Sequence, residues 1–127
     1  LPCGAVADSG LRTEEATEAT VRLLHDNPDL TALFGVNDEV AIAAMRAAQA
    51  LGRRVPEDLS VIGFDDIELA RHVSPGLTTM RVDKVGMGRL AVQLIANRLE
   101  FPDSEHVLTV LKPRLIERHS VVWRDPA

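Results

Sequence analysis

Arg53-Arg54-Val55-Pro56-Glu57-Asp58-Leu59-Ser60-Val61-Ile62-Gly63-Phe64-Asp65-Asp66 joins a helix stop, a buried strand and two carboxylates at that strand's end. Ser60 to Phe64 is a short apolar run, the pattern of a strand covered on both faces. Asp65 and Asp66 fall where such a strand leaves its sheet. Open α/β sheets bind ligands beyond the carboxyl ends of their strands, so this acidic pair is a candidate contact for a polar ligand.

Reading upstream, Gly52 stands where a helix-ending glycine is expected, with Arg53 and Arg54 near the negative end of the helix dipole. That helix is expected from about Glu39 to Leu51, with Asp38 as its N-cap, after a short strand from Ala32 to Val36. An earlier helix is expected to be capped by Thr13, to carry Glu14 and Glu15 in its first turn, and to stop at Asn27-Pro28. Cys3 to Ala7 reads as a weak strand. Downstream, Ile67 to Arg71 reads as a short helix and Leu77 to Val82 as a β-branched strand. Asp83 then caps a helix to about Glu100, with Leu90, Leu94 and Leu99 on one face. Val107 to Leu111 and Leu115 to Val122 read as final strands. This alternation predicts the α/β class: a doubly wound, mostly parallel sheet with helices on both faces, in three αβα layers.

With 127 residues, the chain has the length of one ordinary domain. Its 46% hydrophobic content is that of a globular protein and argues against disorder. Aromatic residues make up 3%, too few for a base-stacking surface on single-stranded nucleic acid. The net charge is −5 and the 14 Lys and Arg form no basic stripe, so the chain by itself has no electrostatic case for DNA. The single cysteine, Cys3, excludes an internal disulfide framework and suits a reducing compartment. No apolar run approaches the ~18 residues of a membrane span. Without an initiator Met, the chain is expected to start inside something longer or to have been processed.

Catalysis finds little support. No G-x-S-x-G elbow, Walker A motif or H-E-x-x-H is present, and His25, His72, His106 and His119 lack metal-ligand spacing. Neither a metal nor a cofactor is expected. Gly86-Met87-Gly88-Arg89-Leu90-Ala91 spells G-x-G-x-x-A after a strand, but Asp83-Lys84-Val85 already begins the helix, which places both glycines inside it. A phospho-accepting receiver domain has about this length. It needs an acidic pair first and a lone Asp later, and here Asp38 precedes Asp65-Asp66.

Asn37-Asp38 after a strand, Gly52 through Asp66, Pro75-Gly76-Leu77-Thr78-Thr79 and Leu115-Ile116-Glu117-Arg118-His119-Ser120 occur in that order. Together they resemble the effector-binding region of the LacI/GalR family of bacterial transcriptional repressors, itself related to periplasmic sugar-binding proteins. The resemblance runs from about Ser9 to Val122. It implies a cytoplasmic, non-enzymatic sensor that binds a small polar effector, a sugar or a sugar-like molecule, and works as a homodimer. DNA is contacted only through a helix-turn-helix domain that lies outside these residues. A fragment of a periplasmic sugar-binding protein is the alternative. The resemblance also divides the chain. Residues 1–76 and 105–127 belong to the C-terminal lobe of the effector domain, and 77–104 forms a crossover that belongs to the N-terminal lobe.

The same resemblance assigns site residues. Asn37 matches the position that hydrogen-bonds effector hydroxyls, and a carboxamide offers both donors and an acceptor. Its plain reading is a turn or cap residue. Asp65 matches the principal acidic effector contact, while Asp66 is expected to cap the short helix that follows. Leu11 stands where the family usually places a Trp or Phe that stacks on the ligand ring. Leucine has no π-face, so the resemblance implies an altered ligand class or pocket. Ile42 and Val73 match dimer-interface positions, and each on its own also reads as core.

Overall fold

A computed structural model describes residues 4–124. The elements are α1 (Thr13–Asp26), β1 (Ala32–Phe34), α2 (Asp38–Ala50), β2 (Ser60–Phe64), a short 3-10 helix (Glu68–Arg71), β3 (Thr78–Arg81), α3 (Lys84–Glu100) and β4 (Arg114–Ile116). The sheet order is β1-β2-β3-β4, with the first three strands parallel and β4 antiparallel on the edge. Ala32 is in register with Ser60, Ile62 with Thr78, and Thr79 with Ile116. This is the mostly parallel α/β sheet expected from the sequence.

The core lies between β2 and α2. Val61 and Leu59 meet Ala41, Ile42, Met45 and Ala48 of α2, with Leu24 from α1 and Leu77 from the start of β3. α2 is buried almost all round, because α1 covers the side away from the sheet. Its alanines allow that close approach: Ala16 of α1 packs on Val40 and Ala43. Burying such small side chains stabilises by less per residue than burying Leu or Ile, but many are stacked along one contact. The chain leaves α2 through Gly52 at φ +79°, a conformation that glycine adopts at no steric cost.

Several expectations shift. The residues from Gly4 to Ala7 form no strand, and Cys3 lies outside the described residues. Thr13 is the first helical residue rather than the cap; the N-cap is Arg12, which makes no side-chain capping bond. Val107 to Leu111 is irregular. The last strand shortens to Arg114–Ile116, and its continuation is held to the sheet by isolated backbone bonds mixed with side-chain ones rather than by a regular ladder. Ser120, fully buried, fills the slot beside Val61 at the foot of β3. Its hydroxyl donates to Val61 O (2.5 Å) and accepts from Thr78 N (2.8 Å), while its carbonyl accepts from Val61 N (2.7 Å). Asp83 caps α3 as expected, accepting from Gly86 N at 2.9 Å, so both glycines of the G-x-G-x-x-A run are helical. α3 has no buried residue.

Candidate functional site

The parallel strands β1 and β2 end side by side, and the loops beyond them carry Asn37 and the Asp65-Asp66 pair. Asn37 is the N-cap of α2. Its backbone is extended, and its Oδ1 accepts from Val40 N at 2.8 Å. That bond fixes the carboxamide: the oxygen is committed to the helix, which leaves the Nδ2 amide as the outward donor. The cap and ligand readings of Asn37 are therefore compatible, because they use different atoms.

Asp38 was expected to be the cap and is not. It is the first residue of α2 and is fully buried. Its carboxylate crosses to two other elements, accepting from Ile67 N at 2.8 Å and from Thr79 Oγ1 at 2.5 Å. Burial pushes its pKa above the ordinary carboxylate value. The hydrogen bonds from Thr79 and Ile67 oppose that, and the negative charges of Asp66 and Asp65 add to it. Gly63 makes room for this carboxylate, since a Cβ there would stand 2.3 Å from Asp38 Oδ1.

Asp65 and Asp66 both have positive φ, 110° and 50°. Non-glycine residues rarely adopt this region, and such strain gathers at functional sites. Asp65 keeps its carboxylate partly exposed, with Lys84 Nζ at 3.4 Å. Asp66 also departs from its expected role. The N-cap of the 3-10 helix is Ile67, and the Asp66 side chain, only 3% exposed, turns to Arg81 and Arg118 instead. Burial by itself would raise its pKa. The hydrogen bonds and charges of Arg118 and Arg81 outweigh that and hold it below the ordinary value.

Leu11 is 66% exposed on the loop before α1. The first turn of α1 packs on the start of α2, so Leu11 stands at the same end of the fold as Asn37. Ile42 and Val73 come together elsewhere. Ile42 belongs to the core and Val73 packs against it, and both line a hollow of about 290 Å³ with Met45, Arg46 and His72. Beside Phe64, a second hollow of about 430 Å³ is lined by apolar residues of α3, among them Met87, Leu90 and Leu94, and by Leu111 and Pro113.

Sequence reasoning missed Thr79, Lys84, Arg81 and Arg118. Each reaches its aspartate from at least 15 residues away, the separation of Asp66 and Arg81. No local spacing marks such pairs. The one available signal was a surplus of carboxylates at one strand end, which requires cations or donors from elsewhere in the fold.

A mostly parallel sheet with polar residues beyond its strand ends is in keeping with a periplasmic-binding-protein-like domain, and the family model described as "Periplasmic binding protein-like domain" matches residues 3–121. The chain belongs to that family, and the curated relatives that it resembles are named as transcriptional repressors. It is 40% identical over 99 residues to the ribose operon repressor of Haemophilus influenzae, covering 78% of this chain and 30% of that protein. It is 37% identical over 118 residues to the HTH-type transcriptional repressor PurR of Aliivibrio fischeri, covering 91% and 35%. Among solved structures, a transcriptional regulator CelR–cellobiose complex superposes with a TM-score of 0.82 at 35% identity, over 88% of this chain and 34% of that one. The chain thus spans about a third of the length of the relatives it matches. Among the described residues, no helix is long and apolar enough to cross a membrane.

Proposed function

We propose that this chain forms one wall of the effector site of a bacterial LacI/GalR-type repressor, with Asn37 Nδ2 and the Asp65 carboxylate as its polar contacts. The observation that carries this reading is the division of labour at Asn37. Its oxygen is used by Val40 N, which leaves a donor on the loop after β1, while the neighbouring strand β2 leads to the partly exposed acceptor of Asp65. A hydroxyl group satisfies both, accepting from Asn37 and donating to Asp65. A sugar or sugar-like polyol is therefore the ligand class, consistent with the cellobiose named for the CelR structure. Leu11 contributes an aliphatic contact where a ring would otherwise stack.

The rest of the repressor lies outside these 127 residues. With a net charge of −5, the chain does not itself hold DNA; a helix-turn-helix domain in the remainder of a cytoplasmic protein does. Residues 77–104 complete the second lobe. Their support is α3, which leaves Val85, Val92, Ile95 and Leu99 each more than half exposed. The hollow containing Ile42 and Val73 is the homodimer surface. Ligand binding closes the lobes and shifts the dimer between DNA-bound and released geometries, a coupling worth ~1–3 kcal/mol. The chain acts as a sensor and carries out no reaction of its own.

The test is a titration of the isotope-labelled chain with D-ribose and with cellobiose, followed by NMR. Half a site is expected to bind at roughly millimolar affinity, moving the Asn37 side-chain amide and the Asp65 backbone amide first. Asn37→Asp keeps an oxygen to cap Val40 N and, ionised, has no donor, so it should abolish the shifts without loss of stability. Shifts that bypass Asn37 and Asp65, or that survive Asn37→Asp, would refute the reading.

A further inference from the structure

Asp66 has two charged partners at these strand ends, where Asp38 has two neutral ones, and the site described above uses neither of them. Its Oδ1 accepts from Arg118 Nη2 at 2.5 Å and its Oδ2 from Arg81 Nε at 2.5 Å. Arg81 is the last residue of β3, just before the turn into α3. Arg118 lies two residues beyond β4, on the segment returning from α3. Arg118 is only 14% exposed. It also donates from Nη1 to Leu77 O at 2.7 Å, and its backbone N–H donates to Thr78 Oγ1 at 2.9 Å. One carboxylate at the end of β2 thus holds both chain passages that connect the sheet with α3.

Asp65 is its immediate neighbour, and the two share the positive-φ turn. Such a conformation persists only where the surroundings over-determine it. Three ties do so here. The Asp65 N–H donates to Met80 O at 2.8 Å, the Asp66 carboxylate spans the two arginines, and the Ile67 N–H donates to Asp38 Oδ2 at 2.8 Å. The outer ties fix backbone position at either end. Only the middle one grips the turn through a side chain that cannot rotate without breaking two charged hydrogen bonds.

The geometry points to Asp66 as the positioning residue of this wall: by bridging Arg81 and Arg118 it sets the direction of Asp65 and fastens it to both passages between the sheet and α3. This rests on the reading of Asp65 as the effector contact. It adds a mechanical consequence, because a ligand that displaces Asp65 then pulls on the two segments leading to and from the crossover helix. Asp66 need not touch the ligand to transmit that pull.

The 127-residue chain tests this without any ligand. Wild type, Asp66→Asn and Arg81→Met are compared by the HN–Hα and Cα–Hα couplings of Asp65, which report its positive φ, and by hydrogen exchange at the Asp65 amide. Ala44, in the middle of α2, is the reference for global stability. In both variants Asp65 should leave the positive-φ range and its amide should exchange roughly tenfold faster or more, with Ala44 unchanged. Arg81 is 42% exposed, so Arg81→Met is expected to fold and decides the matter if Asp66→Asn does not. Unchanged Asp65 couplings would overturn the proposal. So would equal acceleration at Asp65 and Ala44, which marks a salt bridge that only stabilises the fold. Failure of the sugars to shift Asn37 and Asp65 would instead refute the site itself, so the two failures are distinguishable.

Discussion

Asp38 allows charge and hydrogen bonding to be separated within one buried group. Asp38→Ala strands the Ile67 N–H and the Thr79 hydroxyl, both of which now donate to the carboxylate. An orphaned buried polar group costs ~1–3 kcal/mol. Two such groups, less the relief of removing a buried charge, give a loss of about 3 kcal/mol at pH 7. For a chain of this size that corresponds to a fall in Tm of about 10–15 °C. Asp38→Asn keeps both partners, with Oδ1 accepting from Ile67 N and Nδ2 donating to Thr79 Oγ1, so it should equal or exceed wild type at pH 7. The pH dependence then isolates the charge. The folded-state pKa of Asp38 is raised. Its contribution is therefore fully present below the unfolded carboxylate pKa and lost as pH rises through the folded value. Asp66 has the opposite sign, since its lowered pKa contributes stability that is lost as the solution is acidified. Subtracting the wild-type urea-denaturation curve from that of Asp38→Asn removes the Asp66 contribution common to both. The advantage of Asp38→Asn, read by far-UV circular dichroism, should be greatest at pH 7 and shrink towards pH 4. A difference that stays flat over that range would refute the claim that burial penalises this carboxylate, and an Asp38→Ala chain as stable as wild type would refute the cross-link.

Gly63→Ala should destabilise by about 1–3 kcal/mol in the same urea assay, because the added methyl displaces Asp38 from a packed edge; combined with Asp38→Ala, which removes the nearest obstructing oxygen, its further cost should shrink to what Leu77 Cδ2 at 3.0 Å and Asp38 Cα at 3.2 Å impose. The apolar face of α3, with Ile95 61% and Leu99 77% exposed, should drive self-association measurable by light scattering. Ile95→Glu with Leu99→Glu should abolish it, and a chain that is strictly monomeric before substitution would count against α3 as part of a second lobe.

Local signals carried most of the fold. Gly52 ends α2, Asp83 caps α3, and the apolar run Ser60–Phe64 is the observed strand residue for residue. Each of these depends on neighbours in sequence, which is the range over which periodicity and capping chemistry operate. The failures fall where a side chain leaves its own element. Asp38 and Asp66 both stand one residue from a helix N-cap, where the sequence offers an aspartate as the cap. Each side chain is instead taken by partners distant in sequence, Thr79 in one case and the two arginines in the other. The cap left open before α2 went to Asn37, one residue earlier. Likewise, the expected final strand is longer than the observed one because beyond Ile116 backbone bonds, from Val61 N to Ser120 O and from His119 N to Gly76 O, alternate with hydroxyl bonds from Ser120 rather than forming a regular ladder, and a pattern of alternating residues does not distinguish the two.

If the strand ends bind an effector as proposed, they would select it by what they leave uncommitted. Of Asn37, Asp38, Asp65 and Asp66, two carboxylates are spent inside the fold, and the Asn37 oxygen is spent on its helix. One neutral donor and one anionic acceptor remain, with Lys84 3.4 Å from the acceptor. An anionic ligand gains the Asn37 donor but meets the charge of Asp65. A cation gains Asp65 but faces the Asn37 amide hydrogens and competes with Lys84. A neutral hydroxyl meets neither penalty, since it both accepts and donates. Lys84 is on a half-exposed pair worth little in water, so exchanging it for a ligand hydroxyl costs about 1 kcal/mol or less. On the proposed reading, because Lys84 opens α3, that exchange would free the helix end on the crossover side as the ligand engages Asp65. Selection for a polyol and release of the crossover would then follow from the same small set of atoms.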